Sequence, residues 1–451
     1  MRDDLMKINI IRFYLAVSIG ILTKYFLKAL GFSATSLPGK IAYAIYPEIL
    51  RELNKRCKSK ILITGTNGKS TTTHLINLIC EKKGVTLCNE SGANMISGIV
   101  STFISKLRNY YDYCIFEVDE GSIKKISNEL KPDFVVVTNI FRDQLDRYGE
   151  VDLIRNTIFE SIANSFALLN GDDPNLNLYN DNKKAFFGLE YQNSIENRNL
   201  TLDTQFCPLC GTKLSYEYYT VGHLGKFFCP NCGFRNAEPQ FLIRNIKHIG
   251  NSYTFVFVDK NSNTLTNFKI KDFGAYQLYN VCAAISTTSV LGINQAEIHE
   301  ILENFSPKLG RFEEIKLSDK TIIINLVKNP VSLSETLYTI SNDNSNKVIV
   351  LILNDNYADG RDVSWIWDAD FDIISSLKNL TKVYCGGKRK EEILLRLKYT
   401  SFRLENCYLI DLRRDIKNIL AHNVEKIYFL PTYTALFETR KIILETIQRR
   451  K

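Results

Sequence analysis

The apolar N-terminal stretch of this 451-residue chain lacks an uncharged run long enough to cross a bilayer; its longest, Phe13–Thr23, lies between Arg12 and Lys24. A spanning helix needs roughly 20 apolar residues. Nor does a small-residue cleavage site of the signal-peptide type follow that run. Apolar positions around it recur near helical spacing, which leaves two readings open: a helix packed on its own domain, or one lying at a membrane interface. Internal repeats and low-complexity tracts are lacking. Eleven cysteines are scattered, and only four show paired spacing, which fits a reducing cytosol better than a disulfide scaffold. Basic residues exceed acidic ones by 8 without gathering in one stripe. That distribution argues against nucleic acid and permits an anionic surface or a phosphorylated substrate. The length itself implies two or three domains.

The most informative segment is "ILITGTNGKSTTTHLINLI", residues 61 to 79. A β-branched run breaks into Gly-Thr-Asn-Gly-Lys-Ser and then into a helical pattern, so a strand, a tight loop and a helix N-terminus follow one another. Gly65 and Gly68 permit backbone dihedrals closed to other residues and let the chain approach an anion. Amides of Thr66, Asn67 and Thr71 lie in or beside that loop, where free N–H groups hold phosphate. Lys69 can reach the β- and γ-phosphates, and the Ser70 hydroxyl can bind Mg²⁺. The glycine that commonly stands five positions before Gly68 is replaced by Ile63. ATP is the expected nucleotide.

Cys207-Pro-Leu-Cys210 and Cys229-Pro-Asn-Cys232 form two knuckles separated by eighteen residues. Each turn presents two thiolates, and two facing turns complete a tetrahedron around Zn²⁺. Four sulfurs close the site, which points to a structural metal. The aromatic stretch between the knuckles reads as a β-hairpin, with His223 as a surface or packing residue.

Further strands alternate with helical patterns: "DYCIFEVDEGS" (112–122), "DFVVVTN" (133–139) and "FALLNGDDPN" (166–175). That alternation predicts a parallel α/β sheet with the ligand, and the carboxylates, at the C-terminal strand ends. The expected division is an N-terminal helical segment (1–48) and an ATP-binding domain (49–314) interrupted by a zinc ribbon at about 200–240. A smaller α/β domain with four strands (315–451) follows. The ATP-binding domain resumes after the ribbon at "FGAYQLYNVCAA".

Together these residues resemble the Mur ligase family of ATP-dependent peptidoglycan ligases. "TGTNGKST" is similar to its phosphate loop. "FEVDEGS" is similar to its Mg²⁺-binding strand, which puts Glu117 at the ligand position with Asp119 and Glu120 in support. "GAYQLYNVCAA" places Asn280 near the adenine, and "GRFE" places Arg311 at the ribose. Gln144 stands where the family usually has a metal-binding His, and residues 156–182 lack the Lys that is often carbamylated. The Cys₄ insertion and the block "LNDNYADGRDVSWIWDADFD" (353–372) resemble the MurT branch, the synthetase subunits of lipid II isoglutaminyl synthase.

That resemblance implies amidation of the D-glutamate α-carboxyl in the lipid II stem peptide through an acyl phosphate. Ammonia would come from a GatD-like glutaminase subunit, and Asp362 would supply in trans the carboxylate that orients the glutaminase histidine. Read locally, without the resemblance, Asp362 is favoured as the N-cap of a helix at "VSWIWD", a role compatible with the first. Trp365 and Trp367, the only tryptophans, suit either a core or the partner interface. A cytoplasmic location is implied, with peripheral attachment to the inner face of the membrane left open. The alternative is a ligase that adds an amino acid, as other Mur ligases and folylpolyglutamate synthetases do.

Overall fold

The computed structural model describes residues 2–32, 34–89, 92–142, 151–190, 203–307 and 310–449. The "DQLDRYG" segment with Gln144 lies outside them. The β-branched runs form β1 (Cys57–Thr64), β2 (Thr86–Cys88), β3 (Tyr111–Glu117), β4 (Phe134–Val137), β5 (Phe166–Asn170) and β6 (Lys184–Leu189). The ribbon hairpin contributes β7 (Ser215–Val221) and β8 (Leu224–Phe228); then come β9 (Phe241–Ile249), β10 (Ser252–Asp259) and β11 (Thr264–Lys271). Nine of these make one sheet in the order β11-β10-β9-β6-β5-β4-β1-β3-β2. From β9 to β2 all pairings are parallel, while β10 and β11 add an antiparallel extension. The domain already resumes at β9, some thirty residues ahead of the expected point, and the extension follows it. Burial alternates along β10, with one face packed and the other partly open, unlike the continuously buried parallel strands.

Helices cover the parallel part on both faces. They are α1 (Arg2–Ala29), α2 (Leu37–Ile45), α3 (Ile49–Arg56), α4 (Lys69–Glu81), α5 (Ile96–Ser105) and α6 (Ile123–Leu130), followed by the helices Val151–Ile162 and Gln277–Val290. Successive β1 side chains point to opposite faces. Ile61 and Ile63 enter the core shared with α4, whereas Leu62 joins Phe116, Val135 and Ile123 on the other side. Cys57 and Cys114 are paired as a disulfide between neighbouring strands β1 and β3.

The second sheet comprises β12 (Glu313–Leu317), β13 (Lys320–Ile324), β14 (Lys347–Ile352), β15 (Leu380–Gly386), β16 (Cys407–Leu409) and β17 (Lys426–Pro431). Its order is β12-β13-β17-β14-β15-β16, parallel except for the β12–β13 hairpin. Six strands replace the four expected, because β12 is charged and β16 is only three residues long. The helix Pro330–Ser341 is started by Asn329, whose side chain accepts from the Ser332 amide in a capping box. That helix faces the first domain.

Candidate active site

The loop between β1 and α4 has the dihedrals its glycines were expected to supply, with φ of 116° at Gly65 and 89° at Gly68. A methyl group on Gly68 would stand 2.0 Å from Asn280 Oδ1, and one on Gly65 2.4 Å from Thr138 Oγ1. The loop is thus closed in from both sides, a cradle that only glycine leaves open.

Its shape is held by the end of β4. Asn139 accepts from the Thr66 amide through its carbonyl and from the Asn67 amide through its side chain, both at 2.9 Å. Thr138 Oγ1 donates to Asn67 O at 2.7 Å. Asn329, from the second domain, donates to Asn67 Oδ1 at 3.1 Å. The Thr138-Asn139 pair therefore acts as a brace for the phosphate loop. Spacing along the chain could not reveal that, since the contact spans some seventy residues.

Asn67, Gly68, Ser70, Thr71, Asn280 and Arg311 line one cleft between the two domains. Tyr276, Gln277 and the second domain's Ser332 and Glu335 complete its wall. Asn280 Nδ2 donates to Gln277 Oε1 at 2.7 Å, which fixes the amide over the loop. Arg311 sits on a turn locked by the second domain: Gly310 has φ of 70°, and Leu326 N donates to Gly310 O at 2.7 Å. Burial pushes the neighbouring Tyr276 phenol up to about 12, with Arg311 opposing.

Lys69 is buried below the cleft, and its ammonium lies 3.1 Å from both oxygens of Glu120. It also donates to the Gly65 and Thr66 carbonyls. Burial raises the Glu120 pKa; Lys69 pulls it the other way, and so, more weakly, does Lys328 of the second domain. Removing one member of such a buried pair typically costs about 3–5 kcal/mol. Glu117 is buried at the end of β3, where Oε1 accepts from Asn94 at 3.2 Å. Asn89 binds both the amide and the carbonyl of Glu117 at 2.9 Å. Tyr433, from the second domain, has its phenol pushed up by burial and by the nearby charges of Glu117 and Asp359. Lys328, Tyr433 and Asn329 carried no motif and emerge only from the fold.

Ser70 and Glu117 offer the hard oxygen atoms that Mg²⁺ prefers. The acidic turn Asp172-Asp173 offers none. Asp172 accepts from Leu189 N and the Tyr279 hydroxyl at 2.8 Å, and burial raises its pKa to about 7. Asp173 accepts from the Ile140 and Asn175 amides and faces His223 Nε2 at 3.3 Å. Of the two readings of His223, surface or packing, packing holds: its ring is fully buried and lies 4.6 Å from Phe141. The hairpin tip folds back onto the acidic turn and buries His223 against Asp173, while Leu189 N and Tyr279 take up Asp172.

At the other end of the hairpin the four sulfurs lie within 4.8 Å of one another. Cys207–Cys232 and Cys210–Cys229 are 3.6 and 3.5 Å apart. Sulfurs about 2.3 Å from a tetrahedral Zn²⁺ stand about 3.8 Å from each other, so the set fits that ion. The two knuckles repeat one geometry. Gly211 and Gly233 each donate to the first Cys carbonyl of their own turn, at 2.9 and 3.1 Å, with φ of 73° and 76°.

The hairpin tip residues Val221 and Leu224 line the nucleotide cleft, a coupling between ribbon and cleft that sequence did not reveal. Cys207→Ser is accordingly expected to abolish stoichiometric zinc, lower the thermal midpoint and raise KM for ATP on the order of tenfold through the displaced tip. Metal analysis, melting and ATP titration of the one variant check this, and unchanged ATP binding in a zinc-free protein would disprove the coupling.

Asp362 lies apart from the cleft, exposed in the loop after β14. Its Oδ1 accepts from Ser364 N at 2.8 Å, which opens a 3₁₀ turn, Ser364–Trp367, rather than the α-helix expected. Buried Asp359 anchors the loop by accepting from Thr434 N at 2.7 Å, next to Tyr433. The two tryptophans divide. Trp365 packs on the core, whereas Trp367 is exposed, edge-on to Tyr399 at 5.4 Å.

Comparison with known proteins places these features. Residues 63–288 match the Mur ligase middle domain, and residues 326–436 match the MurT ligase C-terminal family. The chain is 33% identical over 434 residues to the lipid II isoglutaminyl synthase (glutamine-hydrolyzing) subunit MurT of Staphylococcus aureus (strain COL), covering 94% of this chain and 96% of that one. It is 32% identical over 430 residues to the subunit of the same name from Streptococcus pneumoniae (strain ATCC BAA-255 / R6), covering 93% and 94%. A solved pseudomurein peptide ligase type C from Methanothermus fervidus shares the fold, with TM-score 0.69 at 21% identity over 88% of this chain and 80% of that one. A braced glycine loop, a strand end bearing Glu117 and Glu120, and a matching C-terminal module on one chain lead to the same place: the chain belongs to the Mur ligase family, in its MurT branch.

Proposed function

We propose that the chain is the ATP-using subunit of a lipid II isoglutaminyl synthase. The observation that carries this reading is the similarity to proteins of that name over 94% of the chain, C-terminal module included. In the proposed reaction an oxygen of the stem-peptide D-glutamate α-carboxylate attacks the γ-phosphorus of ATP, and the bond to ADP breaks. Ammonia then adds to the acyl carbon, the carbon–oxygen bond to phosphate breaks, and a proton is lost to water. D-isoglutamine remains.

The loop from Gly65 to Thr71 and the N-terminus of α4 hold the phosphates. Asn280 and Arg311 face the base and the ribose. Lys69 turns from Glu120 to the γ-phosphate, where its charge stabilises the phosphoryl group in transfer. Mg²⁺, when bound by Ser70 and Glu117 with Asp119 and Glu120 nearby, supplies further neutralisation. Asp362 projects from the second domain to orient the histidine of a GatD-like partner, and exposed Trp367 belongs to the same interface. The protein then acts at the cytoplasmic face of the membrane, where a lipid-linked substrate is held.

Mass spectrometry of lipid II incubated with this chain, the candidate glutaminase, ATP and Mg²⁺ tests the proposal. An acid-to-amide change with either glutamine or ammonium is expected. Gain of a whole amino-acid residue from a panel of free amino acids would make the chain a peptide-extending ligase.

A further inference from the structure

Among the described side chains of the first helix, one stripe is used by the fold. Phe13, Ala16, Val17 and Gly20 of α1 are buried against α2 and α5. A methyl group on Gly20 would meet Ile104 Cδ1 at 2.4 Å and Ala42 Cβ at 3.3 Å, so the helix is seated closely. Arg12 donates to Ile45 O at 3.1 Å from the side of the same seat.

The outer face is the reverse of what water favours. Ile11, Tyr14, Leu15, Leu22, Tyr25 and Phe26 are 51–67% exposed. At 3.6 residues per turn they fall within an arc of about 120°. Leu30 and Phe32 carry the apolar surface past the end of the helix. Scattered exposed apolar residues are ordinary, but a ridge of this length, interrupted at its centre by exposed Ser18, marks a contact surface.

Charge identifies what the ridge meets. Between Leu5 and Pro47 the chain has five basic residues, Lys7, Arg12, Lys24, Lys28 and Lys40, and no acidic one. On the helical projection Arg12 and Lys28 lie on opposite sides of the apolar arc. Basic side chains flanking an apolar, aromatic-bearing face suit the headgroup region of an anionic bilayer, where the apolar face sinks into the acyl boundary and the cations meet phosphate. The segment Asn9–Ala29 is long and apolar enough to cross a membrane by length and composition, contrary to the expectation from its shorter uncharged run. Arg12 and Lys24 stand near its ends, where long basic side chains reach the interface. With one stripe packed on α2 and α5, however, the helix lies along the protein surface.

We propose that the outer face of α1 docks this protein in the plane of an anionic lipid bilayer. The inference stands on the helix alone. Under the amidation reading it also holds the nucleotide cleft beside a lipid-linked substrate.

Co-sedimentation of the full chain with phosphatidylglycerol–phosphatidylcholine vesicles tests it, with phosphatidylcholine vesicles in parallel. Binding to the anionic vesicles that weakens with salt is expected, together with a loss of at least about tenfold in partitioning for Leu22→Glu/Phe26→Glu. A water-soluble stem-peptide substrate should be amidated equally by both forms, which separates failure of docking from failure of the amidation reading. Absence of vesicle binding by the unaltered protein would overturn the proposal. So would a double variant that changes a dimer to a monomer, or one that no longer binds the glutaminase, because the ridge would then be covered by a second copy or by that partner.

Discussion

Asp362→Asn is expected to reduce glutamine-dependent amidation to background while amidation from ammonium, ATP binding and complex formation with the glutaminase persist. An asparagine keeps the size of the side chain and an oxygen that can accept from Ser364 N, now 2.8 Å from Asp362 Oδ1, so the 3₁₀ turn survives. What it loses is charge. A carboxylate that orients a histidine also stabilises the imidazolium formed as the nucleophile is deprotonated, and removing that charge in a triad costs roughly a factor of 10⁴. The effect should therefore appear in glutamine hydrolysis, with little change in KM for ATP, because Asp362 is apart from the residues that line the cleft. The loop itself is held by Asp359 and Thr434, which the substitution does not touch. Full glutamine-dependent activity in the variant would refute the assignment and leave Asp362 as a turn former only.

Lys69→Met should produce the opposite pattern, a loss on the order of a thousandfold with glutamine and with ammonium alike. Both ammonia sources depend on the same phosphoryl transfer. The substitution also removes the charge facing Glu120, a carboxylate whose pKa burial already raises. A group with a raised folded-state pKa contributes most stability below its unfolded pKa and progressively less as pH climbs through the folded value. In Lys69→Met that folded value rises further, so its melting temperature should fall with rising pH more steeply than that of the unaltered protein. Adding Glu120→Gln should flatten the dependence without restoring activity. If the double variant recovers amidation, Lys69 serves the fold and not the phosphate.

The phosphate loop was legible because it is local: the glycines, Lys69 and Ser70 sit on consecutive residues whose geometry follows from backbone sterics. The Cys₄ set was equally legible, since each knuckle is one turn. Contacts between distant segments were not. Thr138 and Asn139 read as the end of a strand and became the brace of the loop. Asp172 and Asp173 read as carboxylates facing a nucleotide, yet Tyr279 of a distant helix, backbone amides such as that of Ile140, and His223 of the returning hairpin satisfy them. A linear pattern carries the demand of a buried carboxylate for donors but does not say which segment will meet it.

The two tryptophans and α1 show the same division. Two residues apart on a 3₁₀ turn, Trp365 and Trp367 face differently, and only packing against the core decides which is covered. By itself the sequence determined the glycine loop between strand and helix, the two cysteine knuckles and the alternation of strands and helices, because each depends on neighbours within a few residues. Tertiary structure decided which carboxylates stay free for a metal, which side chains of the second domain close the cleft, and which face of α1 is left for a membrane. Burial is a property of how distant segments meet, and its cost falls on whichever polar or apolar group that meeting leaves without a partner.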